Sequence, residues 1–140
     1  MNSSLWNLFH DGSIEHIEGT VPGNASLLVS IQYLRDRFPG DGTGFVVRLF
    51  DCSRFAFEPY DEPEISDLAK IAELEPEILS AEVGEQLEIC CTLGTLFLRY
   101  KSSIIALDTS EPVTLTELDA ASEGYWREWS ERAERARAAP

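Results

Sequence analysis

Short apolar segments separated by turn-forming residues follow one another through most of this chain. In the clearest segment, over 26–34, apolar side chains recur at every second position: Leu27, Val29, Ile31 and Tyr33. A period of two is typical of a β-strand with one buried face. Similar segments predict further strands at 13–19, 44–52, 54–58, 78–83, 86–92, 96–100 and 103–107. Their nearly regular spacing favours a meander of antiparallel strands.

Two other segments have helical periodicity. Residues 64–74 carry apolar side chains at helical spacing, and Pro76 follows at a position where a helix cannot continue. Near the C-terminus, Thr114-Leu115-Thr116-Glu117 has the form of a capping box, in which side chains bind exposed backbone donors. We therefore expect a C-terminal helix over 114–136, followed by a frayed tail at 137–140.

The chain length of 140 residues predicts a single domain, 1–140, since compact domains most often contain about 100–150 residues. We expect an α+β fold that is rich in strand. Its mostly antiparallel curved sheet should form a small sandwich or half-barrel covered by the C-terminal helix. Ten side chains should then be buried on the inner face: Leu27, Val29, Ile31, Val47, Leu49, Phe55, Phe57, Ile89, Leu96 and Leu98.

The charge balance argues against several classes of function. The chain has 25 acidic and 11 basic residues, for a formal charge of −14. A protein that binds nucleic acid through phosphate contacts is usually basic, so we expect no nucleic-acid partner. No apolar run approaches the roughly 20 residues that cross a bilayer, and the first residues lack the pattern of a signal peptide. We expect a soluble cytoplasmic protein with no membrane partner.

The sequence contains no convincing catalytic, cofactor or metal motif. The glycine-rich segment 39–44 lacks the Lys-Ser/Thr of a phosphate-binding loop, and we expect it to be a mobile loop. The three cysteines do not have the spacing of zinc ligands, and we expect all of them to be reduced. His10, Asp11 and His16 are interpreted as turn and strand residues rather than metal ligands. We therefore expect a protein that is not an enzyme, with no cofactor and no metal ion.

Two groups of residues are candidates for contact with a protein partner. The acidic tract, residues 58–88, contains eleven acidic residues and a single base, and a field of this kind favours a basic partner. Within it we select Asp61, Glu62, Glu64 and Asp67. The C-terminal helix carries Tyr125, Trp126 and Trp129, which do not share one narrow stripe. Trp126 and Trp129 are the candidates for an exposed aromatic anchor.

The N-terminal region resembles a known group of proteins. The residues concerned are Phe9-His10-Asp11-Gly12-Ser13-Ile14-Glu15-His16-Ile17, followed by Leu27-Leu28-Val29-Ser30-Ile31. They are similar to the N-terminal hairpin of small acidic bacterial proteins grouped with the immunity proteins of polymorphic toxin systems. In those families a His-Asp pair opens the first strand of a small β-rich domain. The resemblance implies a bacterial cytosolic protein that binds another protein, and it transfers no catalytic residue.

These observations favour an immunity-like, non-enzymatic inhibitor that binds a basic toxin domain. Two alternatives remain open at this level. An acidic secretion chaperone would need an exposed apolar groove for its client. A small-ligand-binding or enzymatic curved sheet would need a pocket with converging polar groups, lined by Tyr33, Tyr60, Tyr100 and Trp126. The sequence leaves the oligomeric state undetermined.

Overall fold

The computed structural model describes residues 1–138. The helices are α1 (Ser3–Leu8), α2 (Gln32–Arg35), α3 (Leu68–Glu73) and α4 (Leu115–Ala138). The strands are β1 (Ser13–Gly19), β2 (Gly23–Ser30), β3 (Gly44–Cys52), β4 (Arg54–Pro59), β5 (Ile78–Val83), β6 (Leu87–Cys91), β7 (Gly94–Arg99), β8 (Ser102–Leu107) and β9 (Pro112–Val113).

The strands form two antiparallel sheets, and together with the helices they confirm the predicted α+β class. One sheet has five strands in the order β1-β2-β3-β8-β9, and the other has four in the order β4-β7-β6-β5. Consecutive strands are neighbours at most positions, as expected for a meander. The sheets are not closed into a barrel.

A bend in one pair of strands connects the two sheets. β3 continues into β4 after one residue, and the partner strands β7 and β8 are separated by only two residues. At the bend, the Lys101 backbone N–H donates to the Phe50 carbonyl at 3.0 Å, and the Ser53 N–H donates to the Arg99 carbonyl at 2.8 Å. The ladder therefore passes from one sheet to the other without losing its hydrogen bonds, as strands at the corners of β-sandwiches do.

The inner faces of the two sheets contribute to one continuous hydrophobic core. All ten side chains that the sequence placed in this core are buried, and for the nine that lie on strands this confirms the predicted register; Ile31 is buried just beyond the end of β2. α1 and its C-cap residue add Trp6 and Phe9, both fully buried, and the Phe9 ring centroid lies 5.5 Å from that of Phe45. A six-residue helix is marginal by itself, so this packing is what stabilises α1.

The predictions were wrong at two segments where tertiary contacts override the local pattern. The strand predicted at 26–34 ends at Ser30, because Tyr33 and Leu34 belong to the short helix α2. The helix predicted at 64–74 begins only after Asp67. Ile65 instead pairs with Phe57, each N–H donating to the other's carbonyl at 2.9 and 2.7 Å. The hydrogen bonds available at the edge of β4 therefore outweigh the helical periodicity.

Several strand edges are covered by other parts of the chain. The Asn7 side chain donates to the Ala81 carbonyl at 3.1 Å and accepts from the Ala81 N–H at 2.9 Å, so it substitutes for a neighbouring strand of β5. Ile65 covers part of β4, and a bridge between Ser13 and Glu77 joins the starts of β1 and β5. Covered edges do not pair readily with a partner's strand. Side-chain surfaces are therefore the better candidates for a binding site.

The C-terminal helix α4 begins with the predicted capping box. The Glu117 N–H donates to Thr114 Oγ1 and the Thr114 N–H donates to Glu117 Oε1, both at 3.1 Å. The helix packs mainly against α1 and α2. It extends to Ala138, two residues further than predicted, and residues 139–140 of the predicted tail lie outside the described residues. None of the helices within 1–138 has the length and apolar character needed to cross a bilayer.

Candidate functional site

The structure assigns different environments to the four acidic residues selected from the sequence. Glu64 forms an ion pair with Arg54, and Asp67 caps α3 by accepting from the Lys70 N–H at 3.2 Å. Asp61 and Glu62 are exposed, and within residues 1–138 neither has an ion-pair partner. Glu64 and Asp67 therefore have structural roles, whereas Asp61 and Glu62 are free to interact with a partner.

Asp61 and Glu62 lie next to two exposed apolar side chains. Tyr60 is 60% exposed and Leu93, in the turn between β6 and β7, is 52% exposed. The Tyr60 N–H donates to the Leu93 carbonyl at 3.0 Å, and the Tyr60 hydroxyl donates to the Cys91 carbonyl at 3.2 Å. These bonds hold the two turns together. We call Tyr60, Asp61, Glu62 and Leu93 the acidic tip.

Leu93 is unusual both in its backbone conformation and in its exposure. Its φ of +73° lies in the left-handed region, which costs a non-glycine residue roughly 1–2 kcal/mol. Gly94 follows because a Cβ there would lie 2.2 Å from the Glu58 carbonyl oxygen. A glycine or asparagine would suit position 93 better and would expose less apolar surface. Positions that break local rules without a folding benefit are concentrated at functional surfaces.

The second candidate surface lies where α2 meets α4, and we call its four rings the aromatic face: Tyr33, Tyr125, Trp126 and Trp129. The Tyr33 and Tyr125 centroids are 4.5 Å apart, and those of Trp126 and Trp129 are 6.0 Å apart. Trp126 is 41% exposed and Trp129 is 51% exposed. The sequence predicted one partly exposed ring among Tyr125, Trp126 and Trp129, and both tryptophans have that property.

Polar contacts fix the inner side of the aromatic face. The Arg37 guanidinium lies 5.9 Å from the Tyr125 centroid and pairs with Glu128 at 2.9 Å. The Tyr33 hydroxyl donates to the His10 carbonyl at 2.9 Å. Burial, together with the nearby charge of Asp11, raises the pKa of Tyr33 to about 12, so the phenol stays protonated as a donor. Tyr33 and Tyr125 are thus anchored, and the two tryptophans extend outward from them.

Of the four aromatic side chains proposed to line a ligand pocket, only Tyr33 and Trp126 lie together. Tyr33 and Trp126 belong to the aromatic face, Tyr60 belongs to the acidic tip, and Tyr100 is buried with its hydroxyl 3.0 Å from the Trp6 ring nitrogen. A groove of about 630 Å³ lies elsewhere, between β8, β9 and the start of α4. Its lining includes the polar residues Asn2, Arg48, Ser103, Asp108, Ser110 and Thr114, and Asp108 is already engaged by three hydrogen-bond donors. The groove contains none of the four aromatic side chains that were proposed to line a pocket.

The loop after α2 is organised by a buried ion pair that the sequence analysis missed. Arg35 is 1% exposed and donates from Nε to Asp108 Oδ1 at 2.9 Å. It also donates to the carbonyls of Phe38 and Pro39. Asp108 Oδ2 accepts from the Thr43 N–H at 2.7 Å. The loop predicted to be mobile is therefore anchored at both ends, and no local pattern distinguished Arg35 from the neighbouring charged residues Asp36 and Arg37.

The three cysteines differ in their exposure, and both histidines lie at the surface. All three cysteines are free; Cys52 and Cys91 are buried, and Cys90 is exposed on the opposite face, as predicted. Burial raises the pKa of Cys52 and raises that of Cys91 to about 12. Over residues 1–138, no three side chains of the types that ligate metals lie close enough to hold an ion.

These environments predict the thiol reactivity of the folded protein. Because only the thiolate reacts readily, Cys90 should react with a disulfide reagent at once, while Cys52 and Cys91 should react only after unfolding. Titration should therefore count one fast thiol in native buffer and three in denaturant. A second fast thiol in native buffer would show that the packing around β6 or the bend at Cys52 opens readily.

Comparisons of this chain with protein-family models, with curated proteins and with solved structures gave no match. The resemblance of the N-terminal hairpin to immunity proteins therefore stays a prediction. The acidic tip and the aromatic face are the two exposed surfaces from which a function can be inferred.

Proposed function

We propose that this chain is a non-enzymatic binding protein whose acidic tip covers a basic surface of a partner protein. The best candidate is an immunity-like inhibitor of a basic toxin domain. The observation that supports it most strongly is the composition of the tip. Tyr60 and Leu93 project into solvent, and the adjacent carboxylates of Asp61 and Glu62 have no ion-pair partner within 1–138.

This combination suits an interface with a basic protein. Tyrosine is enriched at protein interfaces because its ring contributes a large area of contact and its hydroxyl tolerates water. Carboxylates at the rim increase the rate of encounter with a cationic partner. Toxins that cleave nucleic acids carry basic surfaces that bind phosphate. An acidic inhibitor can occupy such a surface because its carboxylates carry the same negative charge as the phosphates that the toxin binds.

The neighbouring sheet surface supports the same interpretation. Glu82 on β5 lies directly opposite Glu88 on β6, and both side chains are exposed. Like charges at facing strand positions are destabilising, so this pair does not improve the fold. It adds to the negative potential of residues 58–88, and a concentrated field of one sign speeds association with the opposite charge.

The proposal is tested by co-expression with the protein encoded by the neighbouring open reading frame. We expect that protein to contain a basic domain that arrests growth when it is produced alone. Growth should return when this chain is produced with it, and the two should co-purify. A neighbouring product that has no basic domain, or that this chain neither binds nor neutralises, would contradict the proposal.

The role of the tip can be measured with that basic domain by stopped-flow or surface plasmon resonance. The double variant Asp61→Lys/Glu62→Lys should lower the association rate about tenfold or more. The complex should also weaken between 0.1 and 1 M salt, since the screening length falls from about 10 Å to about 3 Å. Tyr60→Ala should instead raise the dissociation rate.

The matched control is Asp119→Lys/Glu123→Lys on α4, which changes the net charge by the same amount at two other exposed positions. It should slow association much less than the tip variant does. If the control has an equal effect, overall charge rather than the tip governs binding. If Trp126→Ala or Trp129→Ala releases the partner and salt matters little, the aromatic face is the contact surface and the assignment to the tip is wrong.

A further inference from the structure

The apolar side of α4 continues past the part of the helix that packs on the protein. At about 100° per residue, Trp126, Trp129, Ala133 and Ala136 extend the line of Leu118 and Ser122 along one side of the helix. Leu118 and Ser122 are buried against the protein. Trp126 and Trp129 are 41% and 51% exposed, and Ala136 is exposed as well. The same stripe is therefore covered over its first turns, and the last fourteen residues of the helix, 125–138, are mostly exposed, with Tyr125, which packs on Tyr33, and Ala133 half-buried.

The uncovered segment differs in charge from the remainder of the chain. Residues 125–138 contain four arginines and three glutamates, a net charge of +1, whereas the other residues contain 22 acidic and 7 basic side chains. Two copies of a chain with a net charge of −14 repel each other at most orientations. At this segment the repulsion is smallest, so the charge distribution favours contact between copies here.

The sizes of the side chains along the stripe are complementary to those of a second copy running in the opposite direction. Bulky Trp126 and Trp129 occupy its first half, and small Ala133 and Ala136 occupy its second half. In an antiparallel pair, Trp126 faces the Ala136 of the second copy and Trp129 faces its Ala133. A parallel pair would place tryptophan against tryptophan and alanine against alanine. Alternating large and small side chains pack more closely.

We propose that two copies of this chain dimerise through antiparallel pairing of residues 125–138 of α4, with each tryptophan packed on an alanine. In this register residues 125–137 of the two copies overlap, over a length of about 20 Å. The four half-exposed tryptophans of a dimer contribute about 300–450 Å² of the buried area, given about 150–250 Å² for a whole ring. The tryptophans therefore supply much less than the roughly 1,200 Å² in total at which stable interfaces begin. We expect a weak dimer with a dissociation constant in the micromolar range.

This dimer is independent of the proposed function, because the acidic tip belongs to other segments of the chain. The two interactions also differ in their response to salt. Screening reduces the repulsion between two acidic copies, so added salt should strengthen the dimer. The same salt should weaken a complex between the tip and a basic partner. The direction of the salt effect thus identifies which surface is being measured.

Sedimentation velocity over about 1–200 µM protein, in 0.1 and 1 M salt, tests the proposal directly. We expect a reversible dimer whose dissociation constant falls as salt rises. Trp129→Ala should raise the dissociation constant at least tenfold, as truncation of a central tryptophan usually does. Tyr60→Ala and Leu93→Ala remove exposed apolar side chains of the tip, and they should leave the dimer unchanged.

Circular dichroism shows whether the variant helix remains folded. A chain that stays monomeric at 200 µM in 1 M salt would overturn the proposal, as would a folded Trp129→Ala variant that dimerises like the original chain.

The antiparallel direction has its own test. In an antiparallel pair, position 137 of one copy lies near position 125 of the other, so two copies of residue 137 are far apart. The variant Arg137→Cys, prepared with Cys90→Ser to remove the exposed native thiol, should therefore form no disulfide between copies under mild oxidation. Efficient disulfide formation at 137 in the dimer would show parallel pairing and contradict the proposed arrangement.

Discussion

Replacing Arg35 with alanine should lower the free energy of unfolding by about 3 kcal/mol. Removing one member of a buried ion pair typically costs about 3–5 kcal/mol, because the other charge is left without its partner. We expect the low end of this range because the Asp108 side chain is 19% exposed and keeps the backbone donors Thr43 and Gly44. Urea denaturation of Arg35→Ala and of the original chain gives the difference in unfolding free energy, provided that this free energy depends on urea concentration with the same slope in both proteins.

The same ion pair predicts a dependence of stability on pH. Burial alone would raise the pKa of Asp108, but hydrogen bonds from Thr43, Arg35 and Gly44 outweigh it and hold that pKa below its usual value of 3.8. A carboxyl whose pKa is lower in the folded state stabilises the fold above its unfolded pKa. This contribution is lost as the pH falls through the folded pKa. Arg35→Ala should therefore lose less stability than the original chain on acidification below about pH 4.

Arg37→Ala is the matched control, since Arg37 is also an arginine of this region paired with a carboxylate. Its partner Glu128 is 58% exposed, so removal of Arg37 should cost about 1 kcal/mol or less. Equal losses for Arg35→Ala and Arg37→Ala would contradict the view that burial of the Arg35–Asp108 pair matters. A double variant Arg35→Met/Asp108→Asn removes both charges and should recover part of the stability lost in Arg35→Ala.

Replacing Trp6 with alanine should have an even larger effect, about 3–5 kcal/mol, as expected for a buried tryptophan. Trp6 is fully buried, packs edge-on against Phe9, and donates from its ring nitrogen to the Tyr100 hydroxyl at 3.0 Å. The alanine variant loses this apolar area and leaves Tyr100 without its donor. Domains of this size are stable by about 5–15 kcal/mol, so this loss removes a large share of the total stability. The melting temperature of the variant should fall accordingly.

Two comparisons separate the causes of this loss. Trp6→Phe keeps most of the ring volume but lacks the ring N–H that donates to Tyr100. The lost hydrogen bond should lower the free energy of unfolding by about 1–2 kcal/mol, in addition to any loss from the change in packing. Trp129→Ala removes the same side chain from a position that is 51% exposed, and in dilute solution it should cost less than 1 kcal/mol. Similar losses at Trp6 and Trp129 would contradict the assignment of Trp6 to the core.

Much of the sheet could be predicted because its strands depend on short-range patterns. Alternating apolar residues identify a strand and its buried face together, which is why the ten predicted core positions are all buried. The capping box at Thr114 was equally local, since its two partners are three residues apart. The prediction failed where a residue had a better partner far along the chain. Ile65 fits a helical pattern, yet it pairs with Phe57 at a sheet edge.

The candidate surfaces were predicted only as lists of residues. The sequence selected Asp61, Glu62, Trp126 and Trp129. It gave no reason to place Tyr60 next to Leu93, because these residues are 33 positions apart in the sequence and only a backbone hydrogen bond in the folded chain links them. It also treated Glu64 and Asp67 as equivalent to their neighbours, although these two have structural partners. Charge and residue type are visible in a sequence, whereas the pairing of one charge with another depends on the fold.

The sequence by itself therefore determined the class of fold, most of the strands, the buried faces of β2, β3, β4, β6 and β7, and the acidic character of the chain, because each of these follows from local periodicity or composition. The tertiary structure alone decided which edges are covered, which carboxylates are neutralised and where the apolar stripe of α4 becomes exposed. The pair formed by Arg35 and Asp108, 73 positions apart, illustrates the difference. Contacts across such distances depend on the packing of the whole chain, and no short segment contains the information that specifies them.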